Sequence, residues 1–181
     1  MRYIAAIKER VPDYAKDIRL NLDAVIARSS LPAAAAEGAA LAAACAAKSA
    51  VLVDAIRVQG TLDAAHQHAA LAAAALMGMN NVWYPFVEMA DDPDLATLRA
   101  DLRMSAYANH GGVDRQSFEV YALAASIVGR CEFCVRAHYK LLKDAGMTTQ
   151  QLRDVGRIAA VVNAAAQVVA AEARVEERIA A

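Results

Sequence analysis

Cysteine is scarce in this 181-residue chain: Cys45, Cys131 and Cys134 are the only three. So few exclude the disulfide framework of a secreted protein of this length. Charge of one sign is also lacking. The formal net charge is −1, with acidic and basic residues spread along the chain, which leaves no electrostatic footprint for nucleic acid or an anionic membrane. Apolar runs such as Ala69–Met79 fall short of the roughly 18–20 residues that cross a bilayer. Residues Met1 to Arg10 put charges where a signal peptide needs an apolar stretch. A cytoplasmic location is therefore expected. No stretch alternates apolar and polar residues as a strand does.

What the chain has in excess is alanine. Hydrophobic residues make up 58%, above an ordinary soluble domain, and alanine both favours helix and lets helices approach closely. These features predict an all-α fold, a single compact helical domain over residues 1–181, with apolar surface continuing into a subunit interface. Helices are expected from Asp13 to Ala27, Ala33 to Ala47, Ser49 to Val58 and Thr61 or Asp63 to Met79. A shorter one, Val82 to Met89, carries the only Trp. Further helices run from Ser117 to Val128, Glu132 to Ala145 and Thr148 to about Val175. Asp91, Asp92 and Asp94 read as a solvated turn, and Ala106 to Arg115 as a loop. Glu37–Ala44 echoes Glu119–Ser126 at an offset of about 82 residues, suggesting an internal repeat of about 33–90 and 115–175. At that offset Ser49 falls under Cys131, Leu52 under Cys134 and Ile56 under His138, so only the second half would carry chemistry.

The strongest local signal runs from Arg130 to His138, Arg-Cys-Glu-Phe-Cys-Val-Arg-Ala-His. Two residues between Cys131 and Cys134 bring both sulfurs within disulfide reach at a helix start, where unpaired N–H groups and the helix dipole favour a thiolate. His138 lies four residues after Cys134 on the same helix face and can take the thiol proton. Glu119, on the preceding helix, has the chemistry to hold that imidazole in one tautomer. A free thiol of pKa about 8.5 is only about 3% thiolate at pH 7, and lowering it to about 7 gives roughly half. Cys134 is then the attacking sulfur, becoming a sulfenic acid that Cys131 resolves as a disulfide. The spacing also admits a structural zinc site, with His138 as a third ligand, or a pair with no function.

The run Ser117–His138 resembles the alkyl hydroperoxidase D family, within the carboxymuconolactone-decarboxylase-like superfamily. Pro12–Asn21, His68–Val82 and Leu102–Asn109 are similar to other segments of that family, so the likeness covers nearly the whole chain. The resemblance implies a homotrimer that reduces alkyl hydroperoxides and regenerates a partner peroxiredoxin (AhpC-type). Dihydrolipoyl groups on an acyltransferase, recharged by an NADH-linked dehydrogenase, would supply the electrons, with no bound cofactor or metal. By position Cys134 matches the peroxidatic cysteine, Cys131 the resolving partner and proton donor, and Glu119 and His138 the proton relay. Phe133 departs from the pattern, standing where members often carry a second relay histidine. Within the superfamily, a decarboxylase of the carboxymuconolactone type is the alternative enzyme, and a zinc-binding helical scaffold the non-enzymatic one.

Other residues get plainer readings. Cys45 is expected as a buried small hydrophobe, and His66, His68 and His110 at surface or polar-satisfied positions. Trp83, Tyr84 and Phe86 suit packing or an interface. Glu132 either favours the helix start or raises the neighbouring thiol pKa.

Overall fold

Helix is the only regular structure these residues form. The computed structural model describes residues 1–180, with side chains as far as residue 173. In order come α1 (Arg2–Glu9), α2 (Lys16–Leu22), α3 (Ala33–Ala46), α4 (Ala50–Gln59), α5 (Ala64–Ala90), α6 (Pro93–Thr97), α7 (Ser105–Ala108), α8 (Arg115–Gly129), α9 (Glu132–Asp144) and α10 (Thr149–Ala180). No strand occurs among the described residues.

Alanine decides the packing. Every residue of α3 from Ala36 to Ala44 is buried, and every residue of α8 from Phe118 to Ser126. A helix buried all round must lie inside the bundle, and side chains of one carbon let α3, α5 and α8 pack closely together. The outer helices cover this centre with larger residues. Tyr3, Ile4 and Ile7 of α1 are buried, as are Leu22, Val25 and Ile26 around α2.

Several expected boundaries shift, each for a local reason. The N-terminal residues, read only for targeting signals, form α1, whose apolar positions 3, 4 and 7 share one face. The helix expected from Asp13 to Ala27 is a 3-10 turn (Asp13–Ala15), then α2, then a π segment (Asp23–Ala27). The two helices expected on either side of Asn80 and Asn81 are one, α5, which continues through Pro85. The asparagines do not end it because their amides bond across helices: Asn81 Nδ2 donates to the Ala125 carbonyl (3.2 Å) and Asn80 Nδ2 to Met104 Sδ (3.4 Å). In the aspartate turn, Asp91 is left-handed (φ 50°) and Asp92 caps α6. The expected loop 106–115 holds part of α7 and a 3-10 turn.

One segment of α10, Thr149–Ala173, is long and apolar enough to cross a membrane by length and composition. Isolated polar residues divide it, so it holds no uninterrupted apolar run of that length. Its stripe Val155, Ile158, Val162, Ala165 and Val169 is buried in the bundle, as a core helix requires.

Several backbone features coincide at an offset of about 82 residues. It carries α3 onto α8 and α4 onto α9. Lys48 (φ 58°) falls on Arg130 (φ 56°). The Ser49 N–H bonds to the Ala44 carbonyl as the Cys131 N–H does to Ser126. Ser49 Oγ accepts the Leu52 N–H as Cys131 Sγ accepts that of Cys134. The buried carboxylates differ in what they hold. Glu37 binds the Thr61 N–H, the Thr61 hydroxyl and the Leu62 N–H, whereas Glu119 is left to side chains.

Candidate active site

The site begins at a chain reversal. Position 129 has no room for a side chain, since a Cβ there would lie 1.9 Å from Asn81 Nδ2. After Gly129 the left-handed Arg130 ends α8, its N–H bonding to the Ile127 carbonyl. Cys131 then becomes the N-cap of α9, its Sγ accepting the Cys134 N–H at 3.2 Å. A cap position faces the unpaired amides of the first helical turn, so the sulfur sits in the positive end of the helix dipole. Cys131 and Cys134 form a disulfide with Cα atoms 5.3 Å apart. Both are buried, at 0% and 3% exposure.

One turn further along α9, His138 is also buried, and its Nδ1 lies 2.6 Å from Glu119 Oε2. The other oxygen, Oε1, accepts the Tyr107 hydroxyl at 2.6 Å. Burial pushes the Glu119 carboxyl up, but hydrogen bonds from His138 and Tyr107, with the charges of His138 and Arg115, bring it below the usual range. An ionised carboxylate only accepts, so Nδ1 carries the hydrogen and Nε2 is the atom free to exchange a proton. Burial, the bond to Glu119 and its charge push the Tyr107 phenol up to about 12, with Arg115 opposing. At neutral pH it therefore remains a donor.

Of the four residues singled out from the sequence, Cys131 and Cys134 pair at the head of α9, and His138, further along that helix, pairs with Glu119 of α8. His138 Nε2 contacts Met77 Sδ at 3.2 Å, and none of its hydrogen bonds reaches Cys134 in this oxidised form. With both sulfurs spent in the disulfide there is no thiol proton to take. Met77 and Tyr107 are the residues that sequence reasoning missed. Neither lies at a periodic distance from His138 or Glu119. The only available signal was that both fall inside the blocks 68–82 and 102–109.

Phe133 is half exposed and stacks on Tyr84 at 4.1 Å between ring centroids. An apolar ring moves no protons, so Phe133 offers only stacking surface here. With Trp83, Leu98, Leu102 and Arg99 it lines a groove of about 930 Å³ beside the cysteine pair. A smaller cleft of about 350 Å³ between α8 and α9 reaches Glu119 past Arg115 and Asp144. Glu132 pairs with Arg136 on the exposed side of α9. Cys45 is half-buried rather than buried, and desolvation raises its thiol pKa. His66 is bound to Asp63 (2.9 Å), His68 is exposed, and His110 is half-buried near Phe118. Among the described residues no group of three or more His, Cys, Asp and Glu could hold a metal ion, so the zinc scaffold finds no ligand set.

Fold and site together define an all-helical protein with a two-residue-spaced disulfide capping a helix beside a carboxylate–imidazole pair. The model of the carboxymuconolactone decarboxylase family matches residues 93–177. "Alkyl hydroperoxide reductase AhpD" of Rhodospirillum centenum is 46% identical over 172 residues, 94% of this chain and 92% of that protein. Proteins of the same name from Bradyrhizobium sp. (40% over 172 residues, 94% of each chain) and Coxiella burnetii (40% over 166 residues, 89% and 93%) are also similar. The chain belongs to the AhpD family of alkyl hydroperoxide reductases.

Proposed function

We propose that the protein is an antioxidant thiol peroxidase that reduces alkyl hydroperoxides through Cys131 and Cys134. The observation that carries the reading is the disulfide at the head of α9 beside the buried Glu119–His138 pair. In the reduced form His138 Nε2 takes the Cys134 proton. The thiolate attacks the peroxide, the O–O bond breaks, and Cys134 becomes a sulfenic acid. Cys131 gives its proton to the departing alkoxide, releasing the alcohol. Its own thiolate then attacks the Cys134 sulfur, closing the disulfide, and the expelled hydroxide leaves as water with the proton held on His138. The sum is one hydroperoxide and two thiols converted to alcohol, water and disulfide.

The disulfide is reopened by thiol exchange with an external dithiol, which we assign to a dihydrolipoyl group on an acyltransferase. The Cys131/Cys134 dithiol so restored would also regenerate an AhpC-type peroxiredoxin. We further assign a homotrimer, a cytoplasmic location and two pseudo-repeated halves of which the second is catalytic. The decarboxylase alternative needs no dithiol, and the intact pair argues for redox chemistry. Cys134→Ser is expected to abolish consumption of cumene hydroperoxide. Cys131→Ser should accumulate sulfenic acid without turning over. Wild-type rates in either variant would overturn the roles. Dihydrolipoamide, glutathione and thioredoxin, supplied separately, identify the reductant, and support by glutathione alone would refute the lipoyl assignment.

A further inference from the structure

Glu119 is 2% exposed and holds two partners through two different oxygens. A carboxylate with one bound oxygen can still rotate about its last bond. With both bound it is fixed, and so is the imidazole whose Nδ1 it accepts from. The second anchor comes from outside the cysteine helix. Tyr107 lies one residue before the end of its short helix, and after Ala108 and Asn109 come three left-handed residues, His110, Gly111 and Gly112. Gly111 is pressed against α5, where a Cβ would lie 2.8 Å from Ala69 Cα, and the Tyr107 ring packs edge-on to Phe118 at 5.9 Å. The segment is thus clamped so that one phenol reaches one carboxylate.

We propose that Tyr107 is a positioning residue of the reaction, locking Glu119 so that His138 keeps the tautomer with Nε2 free for the Cys134 proton. This rests on the peroxidase reading above. The titratable and charged groups facing Glu119 are His138 from α9, Tyr107 from α7 and Arg115 from its own helix, with Asp144 across the smaller cleft. Of these, only Tyr107 and His138 hydrogen-bond to it among the described residues. Removing the phenol hydroxyl leaves the carboxylate with one donor fewer, so its proton affinity rises.

Tyr107→Phe keeps the ring and deletes only the hydroxyl. Two pH profiles test it. One is kcat/KM for cumene hydroperoxide; the other is Cys134 alkylation by iodoacetamide in dithiothreitol-reduced protein, read by peptide mass spectrometry. The acid limb of both is expected to move up by about one to two pH units, the effect of one hydrogen bond to a charged carboxylate. At pH 7, kcat/KM should fall about tenfold through the loosened geometry. An unmoved acid limb overturns the proposal even if the rate falls, because loss of packing alone lowers rate without moving a titration. If the wild type consumes no hydroperoxide, the peroxidase reading fails. The alkylation profile then decides alone: a moved limb supports the role of Tyr107 and an unmoved one overturns it.

Discussion

Replacing Glu119 with glutamine keeps the shape of the side chain and removes its charge. The carboxylate accepts from both His138 Nδ1 and the Tyr107 hydroxyl at 2.6 Å, whereas an amide has one acceptor oxygen and one donor nitrogen. If the oxygen stays with Tyr107, the NH₂ group faces Nδ1. The imidazole must then carry its hydrogen on Nε2, where it can no longer take the thiol proton. If the oxygen stays with His138, the tautomer survives but the charge that stabilises the protonated ring is gone. A buried hydrogen bond to a charged group contributes about 1.5–3 kcal/mol, or about 10- to 150-fold in rate. We therefore expect Glu119→Gln to lower kcat/KM for cumene hydroperoxide about 100-fold, measured at pH 7 with a small dithiol in excess. The acid side offers a second check. Glu119 is held below its ordinary value of 4.5, so the stability it lends is complete above about pH 5 and is lost as pH falls through the lower folded value. The glutamine variant should lack that component of acid destabilisation. A rate within about threefold of wild type, in a variant that remains folded by circular dichroism, would refute the reasoning.

Two further substitutions probe the frame around the site. Asp154 on α10 is buried and accepts the Ser30 N–H (2.9 Å) and hydroxyl (2.8 Å) while pairing with Arg157 and Arg153. Burial opposes ionisation, but these partners hold its carboxyl at about 2. Asp154→Ala leaves a backbone donor unpaired at a cost of about 2–3 kcal/mol, so thermal unfolding should occur about 4–10 °C lower. That difference is expected to be full above about pH 4 and to shrink as pH falls through about 2; equal melting temperatures at pH 7 would contradict it. Gly129→Ala places a methyl against the Asn81 amide and must displace its bond to Ala125. A loss of about 1–3 kcal/mol in urea unfolding is expected, and an unchanged midpoint would show that Asn81 moves aside freely.

The parts of the site set by neighbours within a turn or two were readable from spacing. Cys131, Cys134 and His138 lie on one short stretch, so the cap, the disulfide and the shared face follow from helical geometry. Glu119 could be named because α8 leads directly into α9. Tyr107 could not, because its reach to Glu119 depends on the path of a segment with three consecutive left-handed residues. Met77 sits 61 residues before His138, in an alanine-rich helix where a methionine looks like any core filler. The same limit explains α5. Asn80 and Asn81 read as a break when seen alone, and only their partners on other segments show why the helix runs on. Lys48 and Arg130 make the opposite point: the two left-handed residues lie at the repeat offset, yet neither side chain announces its backbone.

The first half of the molecule contains a turn of the same backbone form as the one at Cys131. Around Ser49 the same left-handed step, the same closing amide and the same cap are held together by a hydroxyl, with no covalent link across the turn. The bend around Ser49 therefore stands without a bridge, and the backbone at Cys131 follows the same path. If the second turn works as proposed, its bridge opens and closes between helices that stay docked, and the cycle needs no refolding step.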